Sequence, residues 1–142
     1  MARHVVALAR EIPEGSRKLV QVRGRPIAVF NVRGEYFALV DRCPHKGGSL
    51  CAGKLTGLVQ SLEPGRYVYS RPDEILRCPW HGWEFDIRTG KSACDPERVR
   101  AMRYDVEVEG GDALVEEIAK EELPSVETFE VSVEEDYVVI EM

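Results

Sequence analysis

Short runs of alternating apolar and polar residues fill most of the chain up to residue 109. Their apolar positions are rich in Val, Ile, Phe and Tyr, side chains that suit a pleated, half-buried surface. Turn signals containing Gly or Pro separate the runs, at a spacing of about ten residues. The runs lie at residues 4–9, 18–22, 27–32, 36–41, 57–62, 66–69, 74–78, 83–87 and 103–109. This pattern predicts an all-β, antiparallel sandwich or barrel.

Two further regions need separate interpretation. Pro64-Gly65 predicts the tip of a hairpin over residues 57–74, and Arg71-Pro72-Asp73 predicts a second turn within it. The extended C-terminal segment 110–142 contains a stretch, 113–123, in which two periods compete. A helical period would place Leu114, Ile118 and Leu123 on one inward face, whereas the flanking residues favour strands. Both structures remain open for that stretch.

Charge and composition narrow the class of protein. The formal net charge is −6 over 142 residues, the length of one ordinary domain. An acidic balance argues against a nucleic-acid partner. No apolar stretch near the start is long enough for a signal peptide or a membrane span, so we expect a cytoplasmic protein with no membrane partner. Thiols stay reduced in the cytoplasm, which makes the four cysteines better metal-ligand candidates than disulfide candidates.

Two short segments each combine a cysteine with a nearby histidine. "CPHKGG" begins at Cys43 and "CPWHGWEFD" begins at Cys78. Two cysteines and two histidines could hold one zinc ion tetrahedrally. Mixed pairs suit a two-iron centre better, because one iron can take both thiolates while the other takes both imidazoles. Cys51 and Cys94 lack a histidine at such a spacing, so we interpret them as small packing residues.

The two segments together resemble the Rieske [2Fe–2S] family. The shared pattern is Cys-Pro-His-x-Gly followed by Cys-Pro-Trp-His-Gly-Trp-x-Phe-Asp. The resemblance covers most of residues 5–109 and implies an antiparallel β-sandwich or barrel with a small cluster-binding subdomain of two loops, at about residues 42–95. It implies one [2Fe–2S] cluster in which Cys43 and Cys78 bind one iron while His45 and His81 bind the other.

The resemblance also implies roles for residues around the ligands. Gly47, Gly48 and Gly82 would let backbone N–H groups approach the inorganic sulfides. "SACDP" at residues 92–96 would shield the cluster. The segment between the two loops, residues 46 to 77, is longer than in the shorter family members. We therefore expect a single Rieske domain over residues 1–142, with an inserted hairpin at about 57–74.

Subgroups of the family differ in features that this sequence can test. Respiratory members join their loops by a disulfide, whereas Gly48 and Trp80 stand at those positions here. Terminal oxygenases need a further iron held by two histidines and a carboxylate. The chain has three histidines, and the cluster would take two, leaving His4. The resemblance therefore implies an electron carrier between a reductase and a terminal oxygenase of the aromatic-ring-hydroxylating type.

Two other functions remain open at the level of sequence. One is a small Rieske-like subunit of an assimilatory, nitrite-type reductase, and the other is a zinc-binding interaction module. High-potential members of the family share a serine and a tyrosine hydroxyl near the second loop. Trp83 and Phe85 stand at those positions, which implies a low reduction potential for the family.

Overall fold

The computed structural model describes residues 3–43, 48–79, 82–93, 95–119 and 132–141. Within these ranges, nine strands and one α-helix follow one another, with two short 3₁₀ turns at Ala9–Glu11 and Leu50–Ala52. The chain divides into two compact units, which we call the terminal unit (Met1–Ala38 with Tyr104–Met142) and the central unit (Leu39–Arg103). The strands are β1 Arg3–Leu8, β2 Arg17–Val22, β3 Arg25–Val32, β4 Glu35–Val40, β5 Lys54–Glu63, β6 Arg66–Arg77, β7 Glu84–Asp86, β8 Arg103–Gly110 and β9 Asp136–Glu141; the helix is α1, Gly111–Ala119.

A six-stranded sheet dominates the terminal unit, in the order β1-β9-β8-β4-β3-β2. The last strand in sequence lies between β1 and β8 and pairs antiparallel with both. Four consecutive residues of β9 are buried, so both faces of that strand are covered. Val138 and Ile140 join the larger core of the sheet, which includes Ile27 and Val29. The predicted all-β antiparallel fold is confirmed.

Helix α1 explains why β9 is apolar on both faces. Leu114 of the helix is fully buried and belongs to a second cluster with Val5, Tyr137 and Val139. The structure thus decides the open question in favour of a helix as far as residue 119. Residues 120–131, which include Leu123, lie outside the described part. No helix in the described ranges has the length and apolar character needed to cross a membrane.

The central unit contains a three-stranded sheet in the order β5-β6-β7. β5 and β6 form a hairpin whose turn lies at Pro64-Gly65, as the sequence predicts. Near that turn, Tyr67 and Tyr69 are 70% and 62% exposed, and Val68 between them is 37% exposed. Successive strand residues point to opposite faces, so both faces of this end of the hairpin lie in water.

β6 is one strand, where the sequence suggests two strands separated by a turn. Leu58 pairs with Ser70 and Thr56 pairs with Ile75, so four residues of β6 stand opposite Gly57 alone. Arg71 and Asp73 have positive φ angles of 51° and 61°, outside the range of a regular strand. The turn signal at residues 71–73 is therefore the signature of a large bulge inside a continuous strand.

An ion-pair network ties this bulge to β7. Arg71 Nη2 lies 2.8 Å from the Asp86 carboxylate, and Arg88 Nε lies 2.8 Å from Glu74 Oε1. Glu74 is only 9% exposed. The hydrogen bond from Arg88 is the main reason why the pKa of Glu74 lies below its usual value. The network fixes the bulge against the strand that follows the second cysteine loop.

Candidate metal centre

The first cysteine loop closes through backbone hydrogen bonding. Cys43 follows β4 and is 1% exposed, and its N–H donates to the Gly48 carbonyl at 2.8 Å. Asp41 holds the next part of the chain: its carboxylate accepts the Ser49 hydroxyl at 2.8 Å and the Cys51 N–H at 2.6 Å. The closed segment between Cys43 and Gly48 is the one in which the sequence places the first histidine.

The second cysteine loop repeats this closure. Cys78 directly follows β6 and is 2% exposed, and its N–H donates to the Trp83 carbonyl at 2.7 Å. The Gly82 N–H donates to the Cys78 carbonyl at 3.0 Å, and Gly82 has a φ of +71°. In both loops the cysteine N–H reaches the carbonyl five residues later. The two sequence segments are therefore similar in backbone hydrogen bonding as well as in sequence.

The structure describes two of the four expected ligands. Cys43 and Cys78 are buried and form no disulfide, while His45 and His81 lie outside the described residues. Cys51 is half-buried and forms no disulfide, and Cys94 also lies outside the described part. Buried thiols that are not linked to each other fit a metal centre, since a thiolate out of water needs a counter-charge. The donor chemistry of the two loops is thus compatible with an iron–sulfur cluster.

A third loop lies after β7 and is folded on itself. Ser92 is 2% exposed, and its hydroxyl accepts the Asp95 N–H at 3.1 Å. The Ala93 N–H donates to the Glu84 carbonyl at 2.8 Å, which joins this loop to β7. Phe85 on β7 is fully buried, as a core residue of the central unit. The role of residues 92–96 as a shield stays a prediction.

Sequence reasoning missed a pair of basic residues beside the second loop. A pocket of about 310 Å³ is lined by Ala52, Lys54, Arg77, Cys78, Pro79 and Gly82. Lys54 and Arg77 are direct partners across β5 and β6. They are 23 positions apart in the sequence, and only the strand register brings them together. The order of charged residues along the sequence does not show that these two are neighbours.

Comparison with known proteins places the chain in a family. Residues 2–130 match the family model of the Rieske [2Fe-2S] domain. The chain therefore belongs to the Rieske [2Fe-2S] domain family. The cofactor of this protein is a Rieske-type [2Fe–2S] cluster, which decides between the two-iron and zinc interpretations of the cysteine–histidine pairs.

Curated relatives and solved structures agree with this assignment. The 3-phenylpropionate/cinnamic acid dioxygenase ferredoxin subunit of Escherichia coli (strain K12) is 34% identical over 107 residues, which cover 75% of this chain and 85% of the relative. The ferredoxin of carbazole 1,9a-dioxygenase from Nocardioides aromaticivorans IC177 is 22% identical with a TM-score of 0.58, over 78% of this chain and 92% of that chain. The terminal oxygenase of carbazole 1,9a-dioxygenase from Novosphingobium sp. KA1 is 20% identical with a TM-score of 0.59 over 98% of this chain, which spans only 29% of the oxygenase. These structures establish the likeness of fold.

Proposed function

We propose that this protein is a Rieske-type ferredoxin that takes one electron at a time from a reductase and passes it to a terminal oxygenase. The observation that carries the proposal is the 34% identity to a dioxygenase ferredoxin subunit over 85% of that subunit. Because the match covers nearly the whole relative, it supports a free-standing carrier over a small subunit of an assimilatory reductase. We further propose that residues 1–142 form one Rieske domain and that the protein is cytoplasmic.

The residues proposed to hold the cluster are Cys43, His45, Cys78 and His81. The cluster supplies a reversible one-electron couple, with two cysteines on one iron and two histidines on the other. Burial of Cys43 and Cys78 keeps water away from the thiolate side. The two loop closures fix each cysteine at the start of its loop, so that little reorganisation accompanies a change of charge.

Metal analysis and ligand substitution test the assignment of the site. Purified protein should contain two irons and two acid-labile sulfides per chain. His45→Ala and His81→Ala should lose the cluster or change its visible and EPR spectra. Cys51→Ala is the matched control, because Cys51 forms no disulfide and lies outside the proposed ligand set. Loss of the cluster in Cys51→Ala would contradict the ligand assignment.

Reconstitution tests the function itself. Redox partners that co-purify with this chain from the source cells should be isolated and mixed with it anaerobically. We expect the reductase to reduce the cluster, and the oxygenase to form product only when reductase and carrier are both present. Oxygenated product from this chain and a chemical reductant alone, with peroxide scavenged, would refute the role of carrier.

A further inference from the structure

Two exposed cations stand directly opposite each other beside the second cysteine loop. Lys54 on β5 and Arg77 on β6 are Cα partners, and both side chains are exposed. Like charges directly opposite across an antiparallel pair reduce stability. Arg77 has Glu84 as its partner on β7, yet within the described residues neither cation forms an ion pair. The fold thus accepts an unfavourable pair at this position.

Contact with Gly82 limits where the charge of Arg77 can lie. A Cβ atom added to Gly82 would lie 3.2 Å from both Nε and Nη2 of Arg77. The guanidinium group therefore packs over the backbone just after the proposed ligand His81. Together with Lys54 it forms a wall of the 310 Å³ pocket, which also borders Cys78. The positive charge thus lies beside Cys78, a cysteine that is itself buried.

The two units of the chain carry opposite net charges. The central unit contains 11 Lys and Arg against 8 Asp and Glu, a net charge of +3. The terminal unit contains 8 Lys and Arg against 17 Asp and Glu, a net charge of −9. An acidic protein thus presents a basic unit at its redox centre. A unit with net positive charge favours a partner surface of complementary charge.

We propose that the pocket between Lys54 and Arg77 receives a carboxylate side chain from an acidic surface of a redox partner. This inference rests on the proposed electron-carrier function and specifies the chemistry of its docking site. A partner carboxylate would relieve the repulsion between the two cations, so that their stability cost in the free protein is recovered in the complex. Docking there places the partner against Cys78, Pro79 and Gly82, which line the pocket and flank the proposed ligand His81 in the sequence.

Charge-neutralising variants test the proposal with the co-purified reductase and oxygenase. Lys54→Gln and Arg77→Gln remove one charge each, and Arg66→Gln is the matched control. Arg66 lies at the far end of the same hairpin, in an exposed pair with Glu63. For at least one partner, we expect each of the first two variants to raise KM by about two- to fivefold, the range of an exposed ion pair. The kcat at saturating partner should be unchanged once the measured midpoint potential of each variant is taken into account.

Salt dependence and cross-linking provide independent readouts. The wild-type rate should fall between about 0.01 and 0.1 M ionic strength, where screening grows, and Lys54→Gln with Arg77→Gln should flatten that dependence. A carbodiimide should join the Lys54 amine directly to a partner Asp or Glu, as identified by peptide mass spectrometry. This readout needs no electron transfer.

The outcomes separate the docking site from the function. Electron transfer with unchanged KM in Lys54→Gln and Arg77→Gln would overturn the docking site and leave the carrier function standing. A Lys54 cross-link without electron transfer would support the docking site and refute the carrier function. If inorganic phosphate inhibits more than sodium chloride at equal ionic strength and no Lys54 cross-link forms, the pocket binds small anions and the proposal fails.

Discussion

Gly90 lies in a tightly constrained part of the central-unit backbone, and Gly90→Ala should destabilise the protein strongly. Gly90 has a φ of +77°, and a Cβ there would overlap the carbonyl oxygen of Ala101. The left-handed conformation costs a non-glycine residue about 1–2 kcal/mol. Forcing an atom into a filled space costs about 1–3 kcal/mol more. The Ala101 N–H donates to the Gly90 carbonyl at 2.7 Å, so the backbone cannot move aside without weakening that bond.

Two control variants separate the two contributions. Gly24→Ala has the same backbone penalty, since φ is +75°, but its Cβ would meet nothing within 4 Å. Gly53→Ala has no positive φ, but its Cβ would lie 2.5 Å from the Arg77 carbonyl oxygen. We expect losses of about 1–2 kcal/mol for the first, about 1–3 kcal/mol for the second, and roughly their sum for Gly90→Ala.

Anaerobic thermal unfolding measures these differences, followed by far-UV circular dichroism and by the visible absorption of the cluster. A loss of 1 kcal/mol corresponds to a shift of about 4 °C in a chain of this length. Gly90→Ala should therefore melt about 8–20 °C below wild type. Because cofactor-bearing proteins need not unfold in two states, the ranking of the variants decides the matter. A melting temperature for Gly90→Ala no lower than that for Gly24→Ala would refute the steric part of the reasoning.

Three further predictions concern the first cysteine loop, the redox potential and acid stability. Asp41→Ala removes the acceptor for the Ser49 hydroxyl and should lower the free energy of unfolding by about 1–3 kcal/mol. The visible spectrum of the cluster should then be lost faster on heating, and the rate for Asp41→Asn should lie between those of Asp41→Ala and wild type. Phe85→Tyr adds a hydroxyl at a fully buried site; protein-film voltammetry should show the midpoint rising from near the low end of about −150 to +300 mV, and an unchanged midpoint would show that the loop alignment is wrong. Burial, and secondarily Arg23, lowers the pKa of His4 below 6.5, so the unfolded state binds more protons and stability should fall as pH drops below 6.5. Urea unfolding of His4→Phe should lack that loss, and an identical pH profile in both proteins would contradict it.

Local pattern was enough to predict most of the strands, because each run has its own alternation and its own turn. Strand β9 shows the limit of such reasoning. Its buried residues 137–140 make a continuous apolar run, and this pattern depends on coverage by α1. Among the described residues, Leu114 of the helix packs in a cluster with residues of β1 and β9, so propensity within residues 113–123 could not decide its structure. Both elements are specified by each other, at a distance in the sequence.

The candidate site also contains residues that the sequence predicts and residues that it does not. Cys43 and Cys78 are recognisable from the sequence because each segment carries its own proline, histidine and glycine. Lys54 and Arg77 are not, because their pairing depends on register. Pairing counted back from Leu58 and Ser70 would place Lys54 opposite Glu74, and the bulge shifts the partner to Arg77. An irregularity in one strand therefore decides which charges meet beside the cysteine loop.

The same bulge makes the hairpin adjustable in length. The cross-strand residue pairs nearest the site, from Lys54–Arg77 to Thr56–Ile75, follow one register, and the pairs beyond the bulge follow another. Beyond the bulge, from the Leu58–Ser70 pair outward, Tyr67 and Tyr69 of β6 are exposed, and the ring of Tyr69 lies against Gly57. Residues added or removed there in opposite pairs leave the pairs nearest the site untouched. The hairpin can thus become longer or shorter by one cross-strand residue pair at a time, while both cysteine loops keep their positions.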